Sequence, residues 1–70
     1  MKTYKLQHNG LNAPRESWSH TATFEADTQV HATYMAQRWA IYHGFNIQDV
    51  KAEEATNGTY ELDSFMEIFR

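Results

Sequence analysis

Residues 27–45, which read DTQVHATYMAQRWAIYHGF, decide the fold of this chain. Asp27 and Thr28 are favourable helix N-caps, because their side-chain oxygens accept a hydrogen bond from an unpaired amide of the first turn. Gly44 can adopt the left-handed backbone conformation that ends many helices. The stretch therefore predicts one α-helix over residues 28–43.

One side of this helix is predicted to face a sheet. With about 100° between successive residues, small and large apolar side chains fall together on one broad face. The alanines allow a close approach to the sheet, and Met35 and Trp39 fill the remaining space. The inward-facing residues are Ala32, Met35, Ala36, Trp39, Ala40 and His43.

The opposite side of the helix carries apolar residues that packing on a single sheet does not require. Val30, Tyr34 and Ile41 lie there, together with Gln37 and Arg38. Contiguous apolar surface on a small protein often marks a contact, and tyrosine and arginine are frequent at binding hot spots. We therefore predict a partner-binding surface, against the simpler interpretation of scattered surface apolar residues.

Two segments before the helix alternate between apolar and polar residues, which is typical of strands with one buried face. In the segment 2–8, one face of the strand carries Tyr4, Leu6 and His8. In the segment 17–26, one face of the strand carries Trp18, His20, Ala22, Phe24 and Ala26. These two strands are predicted to form an antiparallel pair with their apolar faces on the same side.

Two more strands, residues 47–56 and 59–69, are predicted around the turn signal Asn57-Gly58. A three-residue loop is preferred, because it keeps the apolar side chains of both strands on one side of the sheet. The pairs that this register places opposite each other are Glu53 with Glu61 and Lys51 with Asp63.

The tail, residues 64–70, fits two structures. Ser64 and Glu67 have the spacing of a helix capping box, but seven residues are few for a stable helix. A strand is preferred. The predicted architecture is then a single α+β domain over residues 1–70, with an antiparallel sheet of about four strands and one helix packed on one face, in the order β-β-α-β-β.

Composition argues against several classes of site. The chain has no cysteine, so no disulfide framework is expected. Its three separated glycines form no phosphate-binding loop, and no serine lies in a nucleophile motif. His8 and His20 are predicted to share the inward face, but two imidazoles are too few for a closed zinc site. We expect no enzyme activity, no catalytic residue, no metal site and no cofactor.

Nothing in the sequence predicts a membrane contact. The residues after Met1 are polar, and no apolar stretch approaches the length of a membrane span. We expect a cytoplasmic protein, located in the host cytoplasm if a phage encodes it.

Charge is unevenly distributed along the chain. Residues 47–70 carry six acidic and two basic side chains, which gives this segment a net charge of −4, whereas the whole chain has a net charge of −3. The scattered basic residues and an inward-facing Trp18 disfavour direct nucleic-acid binding. The acidic residues predict a second contact surface, suited to a basic or nucleic-acid-binding surface of another protein, against the simpler interpretation of a solvated sheet face. They are Glu53, Glu54, Glu61 and Asp63.

Three functions remain, and all are assigned by class because no motif decides among them. The first is a non-enzymatic protein-interaction module, such as an inhibitor that a phage or mobile element directs against a host defence or nucleic-acid-binding protein, as anti-CRISPR proteins do. The second is a homodimer or larger homo-oligomer that pairs through the tail strand. The third is a nucleic-acid-binding module, which would need exposed aromatic residues beside lysine or arginine.

Overall fold

A computed structural model describes residues 1–10, 17–55 and 61–70. Within these ranges the chain is α+β, with one main helix packed against a three-stranded antiparallel sheet. A single 3₁₀ turn, Ile47–Asp49, precedes the third strand. The other elements are β1 Lys2–Asn9, β2 Trp18–Ala26, α1 Gln29–His43, β3 Val50–Glu54 and a C-terminal 3₁₀ helix Ser64–Phe69.

Both ends of α1 form as the sequence predicts. The Thr28 hydroxyl accepts a hydrogen bond of 3.1 Å from the His31 amide, which satisfies one free donor of the first turn. Gly44 has a φ of 79°, and the Phe45 amide donates to the Ala40 carbonyl at 2.8 Å. This Schellman-type end needs a residue in the left-handed conformation, which glycine adopts without a Cβ clash.

Among the described residues, the structure contains no helix with the length and apolar character of a membrane span.

The inward face of α1 also agrees with the prediction, apart from its last residue. His43 is exposed at the helix end, although its ring centroid lies 4.7 Å from that of Trp39. It lies too close to the C-terminus of α1 to be covered by the sheet. The buried residues of the helix are Ala32, Met35, Ala36, Trp39 and Ala40.

The sheet has the strand order β2-β1-β3, with antiparallel neighbours. Leu6 of β1 is fully buried and lies opposite Ala22 on one side and Ala52 on the other. The rings of Tyr4 and Phe24 stack across β1 and β2 at 6.1 Å. The core therefore lies between α1 and the central part of the sheet.

A β-bulge changes the face of the first residues of β2. Gln7 pairs with His20, which leaves Thr21 as an extra residue between the two halves of the strand. One extra residue moves every side chain beyond it to the other face. The predicted inward positions of Trp18 and His20 are therefore wrong, because both residues lie on the sheet face opposite α1.

The segment before the tail lies along β2. The Asp63 amide donates to the Thr23 carbonyl at 2.8 Å, and the Thr23 amide donates to Asp63 Oδ2 at 2.8 Å. The predicted pair of Lys51 with Asp63 is wrong, because Lys51 belongs to β3 at the other side of the sheet. The predicted pair of Glu53 with Glu61 is also wrong, because Glu53 pairs with Lys5 of β1. The loop around Asn57-Gly58 lies outside the described residues.

The tail is a 3₁₀ helix, so the prediction of a strand there is wrong. Met66 and Phe69 are buried and extend the core beside α1 and β2. Their spacing of three residues places both on one side of a helix with three residues per turn. The Arg70 guanidinium donates to the Glu25 carbonyl at 3.1 Å and fixes the end of the tail against β2.

Candidate protein-binding surface

The side of α1 that faces away from the sheet exposes large apolar side chains. Val30 is 80% exposed, Ile41 70% and Tyr34 51%. Their exposure agrees with the orientation that the sequence pattern predicts. We call this side the outer surface of α1.

An aromatic–cation contact orders part of the outer surface. Arg38 lies one helical turn after Tyr34, with its guanidinium carbon 5.5 Å from the ring centroid. Arg38 Nη1 also lies 3.4 Å from the Tyr34 hydroxyl, as a long hydrogen-bond donor. Cation–π contacts at exposed sites contribute about 0.5–1 kcal/mol. The contact therefore restricts the conformations of both side chains before a partner binds.

The C-terminal 3₁₀ helix widens this surface. Tyr42 is 70% exposed and Ile68 63%, and both line a groove between α1 and the tail. The Tyr42 ring meets the buried Phe69 ring edge-on at 5.7 Å, which holds Tyr42 at the rim. We call this the helix–tail groove, and its lining residues are Arg38, Ile41, Tyr42, Ile68 and Phe69.

Sequence analysis missed Tyr42 and Ile68. Tyr42 lies at the border of the inward face, where a helical pattern gives no clear direction. Ile68 was placed in a strand, so no pattern indicated that it would lie beside α1. The aromatic and aliphatic residues among positions 65–69 were the available signal in the sequence.

A second groove lies on the other flank of α1. Gln29 Nε2 donates to the Ala52 carbonyl at 2.8 Å and to the Thr33 hydroxyl at 3.1 Å. The bond to Ala52 connects the start of α1 to β3, and the bond to Thr33 lies within the helix. We call this the helix–strand groove, and its lining residues are Gln29, Val30, Thr33, Tyr34 and Gln37.

The structure brings the five predicted helix residues together along two adjoining grooves. Val30, Tyr34 and Gln37 line the helix–strand groove, whereas Arg38 and Ile41 line the helix–tail groove. Among the described residues that line the two grooves, Arg38 alone is charged. The surface is therefore mainly apolar, with one cation at its centre.

The acidic candidates on β3 are close to lysines. Glu53 lies 3.9 Å from Lys5 Nζ and 3.6 Å from Lys51 Nζ, and Glu54 lies 3.7 Å from Lys2 Nζ. Exposed ion pairs of this kind contribute about 0–1 kcal/mol each. Both glutamates remain at least half exposed, so they remain accessible to a basic partner.

The other two acidic candidates belong to a different part of the molecule. The Asp63 carboxylate accepts the Thr23 amide and thereby joins the tail to β2. Glu61 is exposed two residues earlier. The structure therefore does not unite Asp63 with Glu53 and Glu54, because β1 separates β2 from β3.

The sheet face opposite α1 carries an aromatic–cation pair that sequence analysis missed. Lys51 Nζ lies 4.5 Å from the ring centroid of Trp18. The two residues meet across β1, because the bulge in β2 turns Trp18 to the same face as Lys51. A bulge has no reliable sequence signal in this strand, so the alternation pattern gave the wrong face.

His8 and His20 lie on opposite faces of the sheet. His8 faces α1 and lies 4.3 Å from the Phe45 ring and 6.0 Å from the Trp39 ring, measured between centroids. His20 lies on the other face, where its Nε2 is 2.9 Å from the Thr23 hydroxyl. The predicted shared face of His8 and His20 is therefore wrong. In the part of the chain that the structure describes, no cluster of three metal-ligating residues occurs.

Comparison with known proteins gives no family for this chain. No protein-family model, no curated protein and no solved structure matches it.

Proposed function

We propose that this chain is a non-enzymatic protein-interaction module that binds a partner protein through the outer surface of α1 and the adjoining C-terminal 3₁₀ helix. One observation carries the proposal: Val30, Tyr34, Ile41, Tyr42 and Ile68 are all at least half exposed along two adjoining grooves. Contiguous apolar surface on a small domain is typical of a contact site.

The exposed side chains are large enough to support binding. Covering the exposed part of Ile41, Tyr42 or Ile68 would contribute on the order of 1–2 kcal/mol each. Tyrosine and arginine at the centre of an interface often dominate its binding energy. A partner that places apolar side chains in both grooves would therefore gain most from Tyr34 and Arg38, which lie where the grooves meet.

The surface is also ordered before binding. Its residues lie on a helix that is capped at both ends and on a tail that is fixed by buried Met66 and Phe69. A rigid surface loses little conformational entropy on association, which increases affinity for a given contact area.

The finer role stays a prediction. An inhibitor encoded by a phage or mobile element would need only this kind of contact. It would act by covering a functional surface of its host target. The homo-oligomer hypothesis loses its predicted pairing element, because the tail forms a 3₁₀ helix. A homodimer through the apolar surface is one outcome of the test below.

The three isoleucines of the chain provide a matched test. Ile41 and Ile68 line the helix–tail groove, whereas Ile47 is also exposed but lines neither groove. Immobilised wild-type protein and the variants Ile41→Asp, Ile68→Asp and Ile47→Asp are incubated with lysate of the native host. Bound proteins are then quantified by mass spectrometry.

We expect one protein to bind the wild type and Ile47→Asp equally and to be lost from Ile41→Asp and Ile68→Asp. Circular dichroism and thermal unfolding check that all variants fold. Light scattering of the purified protein separates self-association from binding of a different partner. Equal capture by all four proteins would contradict the proposal.

A second candidate function is single-stranded nucleic-acid binding, which the outward position of Trp18 favours. Its ring lies beside Lys51 on the sheet face opposite α1, and a base that stacks on the ring would lie next to a cation. Glu53 opposes this, because it lies near both Lys5 and Lys51. Fluorescence anisotropy of a labelled 12-nucleotide single strand at low salt tests it, with Trp18→Ala as the matched variant. Absence of binding by the wild type would end this hypothesis.

A further inference from the structure

The outward side of α1 has the residue spacing of a helix-pairing seam. At intervals of four, three and four residues it carries Val30, Tyr34, Gln37 and Ile41, which we call the α1 stripe. At about 100° per residue, these side chains fall within about 60° of one another around the helix. Alternating intervals of three and four residues allow the side chains of two helices to interlock. The stripe lies opposite buried Trp39, and both of its ends are exposed.

The α1 stripe is self-complementary. Its two ends, Val30 and Ile41, are apolar, whereas Tyr34 and Gln37 in the middle carry hydrogen-bonding groups. When two copies of α1 pack antiparallel around a two-fold axis at the middle of the stripe, Val30 of one copy meets Ile41 of the other. Tyr34 of each copy then lies level with Gln37 of the other. A phenolic hydroxyl and a side-chain amide can both donate and accept, so the polar groups of the centre satisfy each other.

Electrostatics favour the antiparallel arrangement. The amino end of each helix lies beside the carboxyl end of the other, so the opposite partial charges of the helix ends are complementary. A parallel pair would place like ends side by side. Arg38, the charged residue among the described groove residues, comes level with Thr33 of the second copy, so no like charges lie directly opposite each other.

The exposed apolar area suits a weak dimer. Tyr42 and Ile68 lie beside the α1 stripe in the helix–tail groove and widen the possible contact. Together with the three large apolar residues of the stripe, they are all at least half exposed. Covering these five side chains would remove on the order of 600 Å² from water on each copy, or about 1,200 Å² for the pair. A total of about 1,200 Å² is the lower limit of a specific, stable interface, so the dimer should dissociate readily.

We propose that a second copy of this chain occupies the outer surface of α1 when no other partner is bound, in a weak two-fold dimer with antiparallel helices. The inference rests on the proposed function, because it names an occupant of the same surface. Each copy covers Val30 and Ile41 of the other and so removes large apolar side chains from water. A different partner protein has to displace the second copy, so the dimer and the complex with that partner exclude each other.

The chain has no cysteine, so single cysteines can be introduced without a competing thiol. The full-length variants Val30→Cys, Ile41→Cys and Ile47→Cys are mixed in pairs and treated with a short bis-maleimide. One variant of each mixture is ¹⁵N-labelled, so that mass spectrometry separates mixed dimers from identical ones. Ile47 is the control, because it is exposed but lines neither groove. Light scattering of the wild type, Ile41→Asp and Ile47→Asp is recorded up to about 1 mM, where weak dimers form.

We expect Val30→Cys and Ile41→Cys to form at least about fivefold more mixed dimer than identical dimer, and every mixture with Ile47→Cys to give only background. The mass of the wild type should rise from 8.2 kDa toward twice that value with concentration. Ile47→Asp should behave like the wild type, whereas Ile41→Asp should stay monomeric. A wild type that stays monomeric at about 1 mM would overturn the inference even if the cysteine variants fail to fold. An excess of identical dimers, or equal yields from all mixtures, would also overturn it.

The outcome is separable from that of the proposed function. A monomeric wild type that captures a lysate protein, together with loss of that protein from Ile41→Asp, would overturn the dimer and support the proposed function. A dimer with the predicted cross-links, together with equal capture of a lysate protein by the wild type and Ile41→Asp, would support the dimer and contradict the binding of that protein at this surface.

Discussion

Replacing Asp63 tests how the tail is attached to the sheet. The Asp63 carboxylate accepts the amide of Thr23, a fully buried residue, at 2.8 Å. Asp63→Ala removes this acceptor and leaves the amide without a partner on the outer edge of β2. The adjoining bond from the Asp63 amide to the Thr23 carbonyl is weakened, because the segment loses its second point of attachment.

The cost follows from the burial of the donor. A buried amide left without an acceptor costs about 1–3 kcal/mol. At about 0.05–0.15 kcal/mol per residue, a domain of this length is expected to have a free energy of unfolding of about 4–10 kcal/mol, so the loss is a large fraction of it. Each kcal/mol lowers the melting temperature of a domain of this size by about 4–8 °C.

Urea denaturation followed by circular dichroism measures this loss, and hydrogen exchange reports on the Thr23 amide. Asp63→Asn is the matched control, because it keeps an oxygen acceptor and should lose about 0.5–1.5 kcal/mol. If Asp63→Ala unfolds at the wild-type urea concentration and the Thr23 amide exchanges no faster, the attachment described here is refuted.

Three further predictions concern the ends of α1 and the tail. Gly44→Ala should cost about 1–2 kcal/mol in a urea titration, because alanine is strained at a φ of 79° although its Cβ meets no neighbour. Thr28→Ala should cost about 1 kcal/mol by the same measurement. A loss below about 0.3 kcal/mol in either variant would contradict the assigned cap. Arg70 lowers the pKa of Glu67 below its ordinary value of 4.5, mainly through its hydrogen bond. This pair therefore stabilises the fold above pH 4.5 and loses its effect as the pH falls through the lowered pKa, so the melting temperature of Glu67→Gln should fall less steeply on acidification. Parallel melting curves from pH 6 to pH 3 would refute this.

The helix could be predicted because its signals are local. The N-cap at Thr28 and the glycine at position 44 each act within one helical turn, and the apolar period of residues 28–43 gives the buried face directly. The exposure of Val30 and Ile41 follows from that period, so most of the candidate surface was predicted as well.

The face of Trp18 could not be predicted, because it depends on a non-local choice. The bulge at Thr21 allows Ala22 and Phe24 to remain in the core, while Trp18 packs across β1 toward Lys51. A strict alternation of inward and outward residues does not allow for an inserted residue, so every position of β2 before the bulge was assigned to the wrong face.

The structure of the tail was predicted wrongly for a related reason. Ser64 to Phe69 is apolar at a spacing that suits both a strand and a 3₁₀ helix, and local propensity does not separate them. The attachment of Asp63 to Thr23 places the tail beside β2, and it joins residues 40 positions apart in sequence. Ile68 could be assigned to the proposed binding surface only after this contact was known.

Methyl cross-saturation in the complex with the captured partner tests the proposed binding surface most directly. The chain is deuterated with protonated Val, Leu and Ile methyl groups, and the protons of the unlabelled partner are saturated. We predict signal loss at the methyl groups of Val30, Ile41 and Ile68, with Ile47 and the buried Leu6 unaffected. Loss at Ile47 with none at Ile41 and Ile68 would contradict the central claim.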